Sequence, residues 1–462
     1  MCGVLGYYSD VVAEAAYFAY LGLYAQQHRG QQSAGLAVSD GRRIRIKKGM
    51  GLVTQVLTNE ALAKMNGRIS IGHVRYSAAG EPHIANAQPL LGATRHGQIA
   101  IAHSGRLVNS AGLRRELQLN GAVFQSTTDS EIILNLIARQ QCDSIEAAVV
   151  KAYSRLQGAF AVVLMTNDAL IGFRDPSGIQ PLCIGKLADT ILLASESAAF
   201  DTIGAEFMRE VRPGELVIID AQGLRSKVIN AQGRPAFCVF EYIYFARPDS
   251  YFAGKNVHLV RKQIGRRLAQ EANLVADLVI PAPDSGTSAA MGFAEEAGIP
   301  FDFGLMKNRY VGRTFIQPTQ ALRQQGVRIK LNPVRALLAG KRVVLVDDSI
   351  VRGTTSAKTV EMVREAGASE VHLAVASPMF LHPCHYGIDI PSTDHLIAPE
   401  RTKEEIRALL GADSLHYLSL EGLYAAVGAK SDQVCDACFS GRYAAGMYEA
   451  TQDLDFLEDD ND

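Results

Sequence analysis

Arg342–Ala357, RVVLVDDSIVRGTTSA, decides how the second half of the chain is read. Val343–Val346 is a short, largely β-branched apolar run, the pattern of a strand buried in a parallel sheet. Asp347, Asp348 and Ser349 stand at its carboxyl end. Arg352-Gly353-Thr354-Thr355 follows, then a helical pattern that places Ala357, Val360, Val363 and Ala366 on one face, with Gly367 as a stop. Open α/β sheets bind ligands at the carboxyl ends of their strands. A glycine turn that opens a helix offers backbone N–H groups and the positive end of a dipole to a phosphate. Paired carboxylates suit ribose hydroxyls or a hard cation such as Mg²⁺. The loop therefore carries chemistry for a phosphorylated sugar at both ends. A strand followed by two aspartates is, by itself, equally an ordinary βα turn with a good cap. The chain has no G-x-x-x-x-G-K-[ST] motif, so this is not a P-loop.

A second loop of the same kind lies upstream. Strand-like Leu278–Ile280 follows a helical pattern around Val260–Ala272 and leads into Pro283-Asp284-Ser285-Gly286-Thr287-Ser288. Its hydroxyls and free N–H groups suit a pyrophosphate. Between the loops, Lys307, Tyr310 and Arg313 fall in the poorly periodic stretch KNRYVGRTFIQP, expected to be a lid over an anionic substrate, with Lys330 assisting. LVDDSIVRGTTS resembles the phosphoribosyl-diphosphate (PRPP) loop of type I phosphoribosyltransferases. The resemblance places Asp284, Ser285, Gly286, Asp347, Asp348, Ser349, Arg352, Gly353, Thr354 and Thr355 around PRPP. It puts the two threonines at the 5′-phosphate and Mg²⁺ at Ser285, Asp347 and Asp348.

Length and composition set the frame. A chain of 462 residues predicts two or three domains. With 48% hydrophobic and 20% charged residues it can bury large cores. A formal net charge of −2 gives no electrostatic case for nucleic acid. No apolar run reaches the roughly 18 residues of a membrane span, and no signal-peptide pattern opens the chain. Seven cysteines, an odd number, are too few for a disulfide scaffold and point to a reducing, cytoplasmic setting.

The first half begins Met1-Cys2-Gly3. With Met1 removed, Cys2 would carry a free α-amine of ordinary pKa about 7.7–8.0, a base adjoining its own thiol. Gln27-His28-Arg29-Gly30-Gln31, Gly72-His73-Val74-Arg75-Tyr76, Asn86-Ala87-Gln88-Pro89, His103-Ser104-Gly105 and Thr128-Asp129-Ser130-Glu131 follow in order. Together they resemble the glutaminase domain of the N-terminal-nucleophile amidotransferases. That resemblance implies that Cys2 attacks the glutamine amide, Arg75 clamps the α-carboxylate, Asp129 holds the α-amino group and Gly105 gives an N–H to the oxyanion. One position departs from the family pattern H-N-G-N-L: the chain has His103-Ser104-Gly105-Arg106-Leu107. The asparagine amide that would help Gly105 stabilise the oxyanion is replaced by the shorter Ser104. Losing one such donor costs on the order of 10²–10³ in rate. An amphipathic helix is expected around Val12–Gln26. Arg42–Lys48 reads as a strand with a solvated basic face, and Cys142 and Cys183 as buried, inert thiols.

From Cys2 to about residue 445 the chain resembles the glutamine PRPP amidotransferases. The expected fold class is α/β and α+β: a glutaminase αββα sandwich at 2–232, a type I phosphoribosyltransferase α/β domain at 233–448, and a disordered acidic tail at 449–462. The resemblance implies glutamine and PRPP as substrates, 5-phosphoribosylamine as product, purine nucleotides as inhibitors and a homo-oligomer, a tetramer. Four thiols, Cys238, Cys384, Cys435 and Cys438, could form a Zn site or hold an iron–sulfur cluster, and spacing does not choose between them. Their match to the iron–sulfur branch of the family implies a [4Fe–4S] cluster. Two alternatives remain open at this stage: an enzyme running mainly on free ammonia because of Ser104, and a non-catalytic PRPP-binding regulator.

Overall fold

The computed structural model describes residues 1–76, 83–231, 233–308 and 331–448, without the side chains of residues 12 and 13. The Tyr310, Arg313 and Lys330 part of the expected lid, and the acidic tail, lie outside the described residues. The chain divides into two compact units. The first comprises Met1–Phe237, Cys384–Pro391 and the described residues from Tyr443 onward; the second comprises Cys238–Pro383 and Ser392–Arg442.

In the first unit, seven antiparallel strands run in the order Glu206–Glu210, Cys183–Leu187, Thr190–Ala194, Gly3–Ala13, Gly67–Arg75, Ser33–Ser39, Ile44–Met50. A second antiparallel sheet of six runs Gly223–Val228, Glu215–Asp220, Leu170–Arg174, Gly158–Met165, Gly97–Leu107, Leu90–Thr94. Side chains alternate between the faces of a strand, and the sequence uses both faces. Val4, Ala102 and Val163 belong to the core between the sheets. Their neighbours turn outward: Leu5 packs with Leu23 and Phe200 under helices Ala15–Ala25 and Ala198–Ile203. Ile101 and Val162 pack with Ile133 and Val149 under helices Asp129–Ala138 and Ile145–Tyr153. The result is the expected αββα sandwich, and its doubly buried strands explain the continuous apolar runs.

The first helix starts later than its pattern predicts. The stretch Val11-Val12-Ala13 extends the opening strand, with Ala13 paired to Gly67, and the helix begins at Ala15. The β-branched pair favours extension over the helical pattern. Ile44–Met50 is a strand, with Ile44 buried and Lys47 exposed, as RRIRIKK predicts.

The second unit is built on a four-stranded parallel sheet in the order Leu278–Pro281, Arg342–Asp347, Glu370–Val375, Ser414–Tyr417. Helices Thr354–Glu365 and Lys403–Leu410 bury Val360, Val363, Ile406 and Leu410 against Leu345 and Leu373. Two further helices, Val257–Ala272 and Thr287–Ala297, pack on each other almost backbone to backbone. A Cβ added at Gly265 would lie 1.9 Å from the Ala289 carbonyl oxygen, and one at Gly292 would lie 2.0 Å from that of Lys262. Only glycine permits such an approach.

Candidate functional site

The first site forms where the opening strand pairs with Gly67–Arg75. In this register Val4 is opposite His73 and Gly3 opposite Val74, which brings the GHVRY motif beside the N-terminus. Cys2 is buried, and its Sγ lies 3.6 Å from the Tyr76 carbonyl oxygen. Burial alone would push the thiol up. The His73 imidazole, the amino terminus and the Arg75 guanidinium outweigh it and bring the thiol down to about 6. At that value a thiolate, the nucleophilic form, is available near neutral pH. The His73 ring nitrogen Nε2 lies 3.1 Å from the His103 carbonyl oxygen, so it carries the proton and donates. His103 itself is buried and pushed down to about 3 by burial and by His73 and Arg75, which keeps it neutral.

The roles expected for glutamine recognition fall on neighbouring elements. Asp129 opens the helix Asp129–Ala138 and accepts the Leu107 N–H at 2.8 Å. Burial raises its carboxyl, while that N–H and Arg106, Arg114 and Arg75 work in the opposite direction. Arg75 is itself buried, and the charges of Cys2 and Asp129 oppose the desolvation of its guanidinium. Gly105, within the strand Gly97–Leu107, has φ of +115°, and a Cβ there would lie 2.1 Å from the Ala159 carbonyl oxygen, so this strand position requires glycine.

Several site residues had no role assigned from sequence. Arg29 is fully buried; its Nε donates to the Cys2 carbonyl at 3.1 Å and its Nη1 to Glu196 at 2.5 Å. Glu196 also pairs with His28 Nε2 at 2.7 Å. The QHRGQ motif thus fixes the nucleophile's backbone, a role visible only once Glu196, far along the chain, is placed. Gln180 is also fully buried. Its Nε2 donates to the Tyr386 carbonyl at 2.8 Å, and its Oε1 lies 3.1 Å from the Ser104 hydroxyl.

The second site sits at the carboxyl ends of two adjacent parallel strands, with Pro281 beside Val346. Asp347 and Asp348 are both buried. Burial raises both carboxyls, and for Asp347 the charge of Asp348 raises it further. The Ser285 hydroxyl donates to Asp348 across the two loops. Ser349 donates to Asp348 at 2.5 Å and Ser356 to Asp347 at 3.2 Å. Asp284 meets Lys307 Nζ at 2.5 Å. Gly353, with φ of +78°, leads into helix Thr354–Glu365, and Arg352, Thr354 and Thr355 are exposed at its start. Gly286 closes tightly on the neighbouring strand: a Cβ would lie 2.4 Å from the Val346 carbonyl oxygen. Arg261 was not foreseen. It is buried, donates to the Tyr242 and Ala246 carbonyls, and is the cation that lowers Asp348. The hard oxygen donors of Ser285, Asp347 and Asp348 fit Mg²⁺, because a divalent cation removes the cause that raises both carboxyls.

Cys142 and Cys183 are buried as expected. In the second unit, Val239 N–H donates to the Cys435 carbonyl at 3.2 Å. Leu381 and His382 N–H groups donate to the Cys438 carbonyl at 3.0 and 3.1 Å. Cys384 belongs to the first unit. Among the described residues, no three of His, Cys, Asp or Glu gather closely enough to hold a metal.

Comparison with known proteins finds one domain family in each unit. Residues 73–202 match a glutamine amidotransferase domain, and residues 254–377 match a phosphoribosyl transferase domain. The chain is 48% identical to an amidophosphoribosyltransferase of Bacillus subtilis, covering 97% of this chain and 95% of that one. It is 49% identical to one of Methanocaldococcus jannaschii, covering 96% and 97%. Among solved structures, it superimposes with a TM-score of 0.92 on the glutamine PRPP amidotransferase of B. subtilis complexed with ADP and GMP. The two are 47% identical over 97% of this chain and 99% of that one.

Proposed function

The chain belongs to the amidophosphoribosyltransferase family, and from that premise we infer that its two sites run one coupled reaction. At the first, Cys2 attacks the glutamine side-chain amide: an S–C bond forms, the C–N bond breaks and ammonia leaves. Water then releases glutamate from the thioester. At the second, ammonia displaces pyrophosphate at C1 of PRPP to give 5-phosphoribosylamine. The observation that carries this reading is the buried Cys2 thiol, set beside the strand that bears His73 and Arg75, in a chain 48% identical over nearly its whole length to an amidophosphoribosyltransferase.

Arg75 binds the glutamine α-carboxylate in a bidentate fork, and Asp129 takes the α-amino group. Gly105 N–H donates to the developing oxyanion. In the second unit, Asp284, Ser285 and Gly286 hold the pyrophosphate with Lys307. Asp347, Asp348, Ser349, Arg352, Gly353, Thr354 and Thr355 hold the ribose and its 5′-phosphate, with Tyr310, Arg313 and Lys330 as the proposed cover. Bound at Ser285, Asp347 and Asp348, Mg²⁺ would neutralise charge on the leaving pyrophosphate. Cys238, Cys384, Cys435 and Cys438 are proposed to hold a [4Fe–4S] cluster, on the strength of their match to the iron–sulfur branch of the family alone. Purine nucleotides are proposed as inhibitors, supported by ADP and GMP in the solved relative. A homotetramer in a reducing cytoplasm completes the reading.

Pyrophosphate release from PRPP and Mg²⁺, with glutamine and then ammonium as nitrogen source, tests the function. Turnover with both supports the coupled enzyme. Turnover with ammonium alone assigns the chain to ammonia-dependent synthesis, and turnover with neither overturns the enzyme reading. Iron and acid-labile sulfide, assayed in anaerobically prepared protein, test the cluster independently.

A further inference from the structure

Ser104 occupies the place where the family pattern has an oxyanion-donating asparagine, but its hydroxyl is engaged elsewhere. Its Oγ lies 3.3 Å from the Cys2 nitrogen, which donates to it. The same hydroxyl has two acceptors for its single proton: the Cys2 carbonyl at 3.0 Å and Gln180 Oε1 at 3.1 Å. The Cys2 carbonyl already accepts from Arg29 Nε. The Gln180 amide cannot turn over, because its Nε2 donates to the Tyr386 carbonyl. Its oxygen must therefore face Ser104. Both residues are buried, so no water competes for these bonds.

We propose that Ser104 and Gln180 are positioning residues for the Cys2 α-amine: Gln180 Oε1 accepts the hydrogen bond of the Ser104 hydroxyl, and the Ser104 oxygen in turn accepts an N–H of the amine and so aims the amine lone pair at the thiol. This rests on the amidotransferase reading above and assigns Ser104 a task other than binding the oxyanion. The nitrogen is a peptide N–H in the chain as it stands and becomes the catalytic base when Met1 is removed. Charged and titratable groups packed around it are His73 and Arg75 on the paired strand and Arg29, with Glu196 behind it, on the carbonyl side. Asp129 acts through Arg75, and the neutral His103 backs His73. The Ser104 hydroxyl is the neutral group bonded to the nitrogen itself. An oxygen that accepts from the amine favours its protonated form, so removing it lowers the amine's pKa.

The test uses the full chain with Met1 removed, confirmed by mass. Ser104→Ala, Ser104→Thr and Gln180→Leu are compared with the parent by two measurements. One is the ratio of glutamine- to ammonium-dependent turnover against pH. The other is the pH profile of Cys2 alkylation by iodoacetamide, read on the N-terminal peptide. The expected result is a drop in the ratio of about tenfold or more in Ser104→Ala and Gln180→Leu, mostly in kcat for glutamine. The amine step of the alkylation profile moves to lower pH by about half a unit to one unit in both, and stays in place in Ser104→Thr. If Ser104 instead serves the oxyanion, Ser104→Ala lowers the ratio with the alkylation profile unmoved, and Gln180→Leu frees the hydroxyl and leaves the ratio at or above the parent's. Either of those results overturns the proposal. Should Gln180→Leu fail to fold, the two Ser104 variants still decide it. A parent without glutamine turnover, but with an alkylation profile that moves in Ser104→Ala, leaves this assignment standing and overturns the amidotransferase reading instead.

Discussion

The two sites balance charge in opposite ways. Around Cys2 the protein supplies its own cations: His73, Arg75 and the amino terminus outweigh burial and bring the thiol down to about 6. Around Asp347 and Asp348 it does not. Burial pushes both carboxyls up and the charge of Asp348 adds to the push on Asp347, while serine hydroxyls with one arginine compensate only in part. The first site is preorganised for chemistry as folded. The second is strained toward protonation until something positive arrives. A nucleophile must be ready before its substrate, whereas a site for a polyanion that travels with a cation can leave the charge balance to its ligand.

The largest expected break in this contrast comes from removing the nucleophile. Cys2→Ala should lower the ratio of glutamine- to ammonium-dependent pyrophosphate release at least about a thousandfold. A smaller change would move the glutaminase chemistry to another group.

Next is the built-in balance itself. Arg29 is buried against Glu196, and a buried charge left alone is costly. Arg29→Ala should cost about 3–5 kcal/mol in urea unfolding. Adding Glu196→Gln should recover part of that loss. Full additivity of the two would mean that the pair is not coupled.

Asp347→Asn should act with the opposite sign. A carboxyl raised above its unfolded value binds more protons in the folded state. Its folded form is therefore favoured at low pH and disfavoured once pH exceeds the raised value. The variant should melt a few degrees above the parent at neutral pH without divalent cations, while losing PRPP turnover. The gap should shrink as pH falls toward the ordinary carboxylate range of about 3.9, and as Mg²⁺ with PRPP is added. A variant that melts below the parent at neutral pH would show that Asp347 is already balanced by the fold.

The smallest effect marks the baseline. Lys64 and Glu60 pair at 2.7 Å on an exposed helix. Lys64→Ala should change stability by no more than about 0.5 kcal/mol in the same unfolding assay.

How much of this was legible in the sequence depended on chain distance. The strand at Arg342–Asp347, the turn at Gly353 and the acid pair are local, and RVVLVDDSIVRGTTSA displays all three in one stretch. The αββα layering was legible only through the resemblance of the ordered motifs from Cys2 to Glu131 to a known glutaminase domain, not through periodicity. Contacts between distant segments were not. Arg29 stands within the QHRGQ motif, yet its task needs Glu196, 167 positions away. Gln180 reads as an ordinary polar residue until Tyr386, 206 positions on, fixes which way its amide faces. Arg261 looks like one more charge on a basic helix until it is found buried near Asp348. In each case a single long-range contact gives a common side chain its role. The strand's extra residues before Ala15 were missed for a local reason: two valines favour extension where the polar spacing favoured a helix.

The paired glycines at Gly265 and Gly292 have a consequence for how this chain tolerates change. Each faces a carbonyl oxygen with no room for one added carbon. Any substitution there adds at least that carbon, and alanine is no gentler than the rest. In a library of all single substitutions, these two positions would register as missing protein in an abundance screen. Molecules that did survive would still turn over normally, because neither glycine is among the residues proposed to hold a substrate. Mutational intolerance at these positions would record a packing constraint, and a survey that scored only growth would mistake it for a third active site.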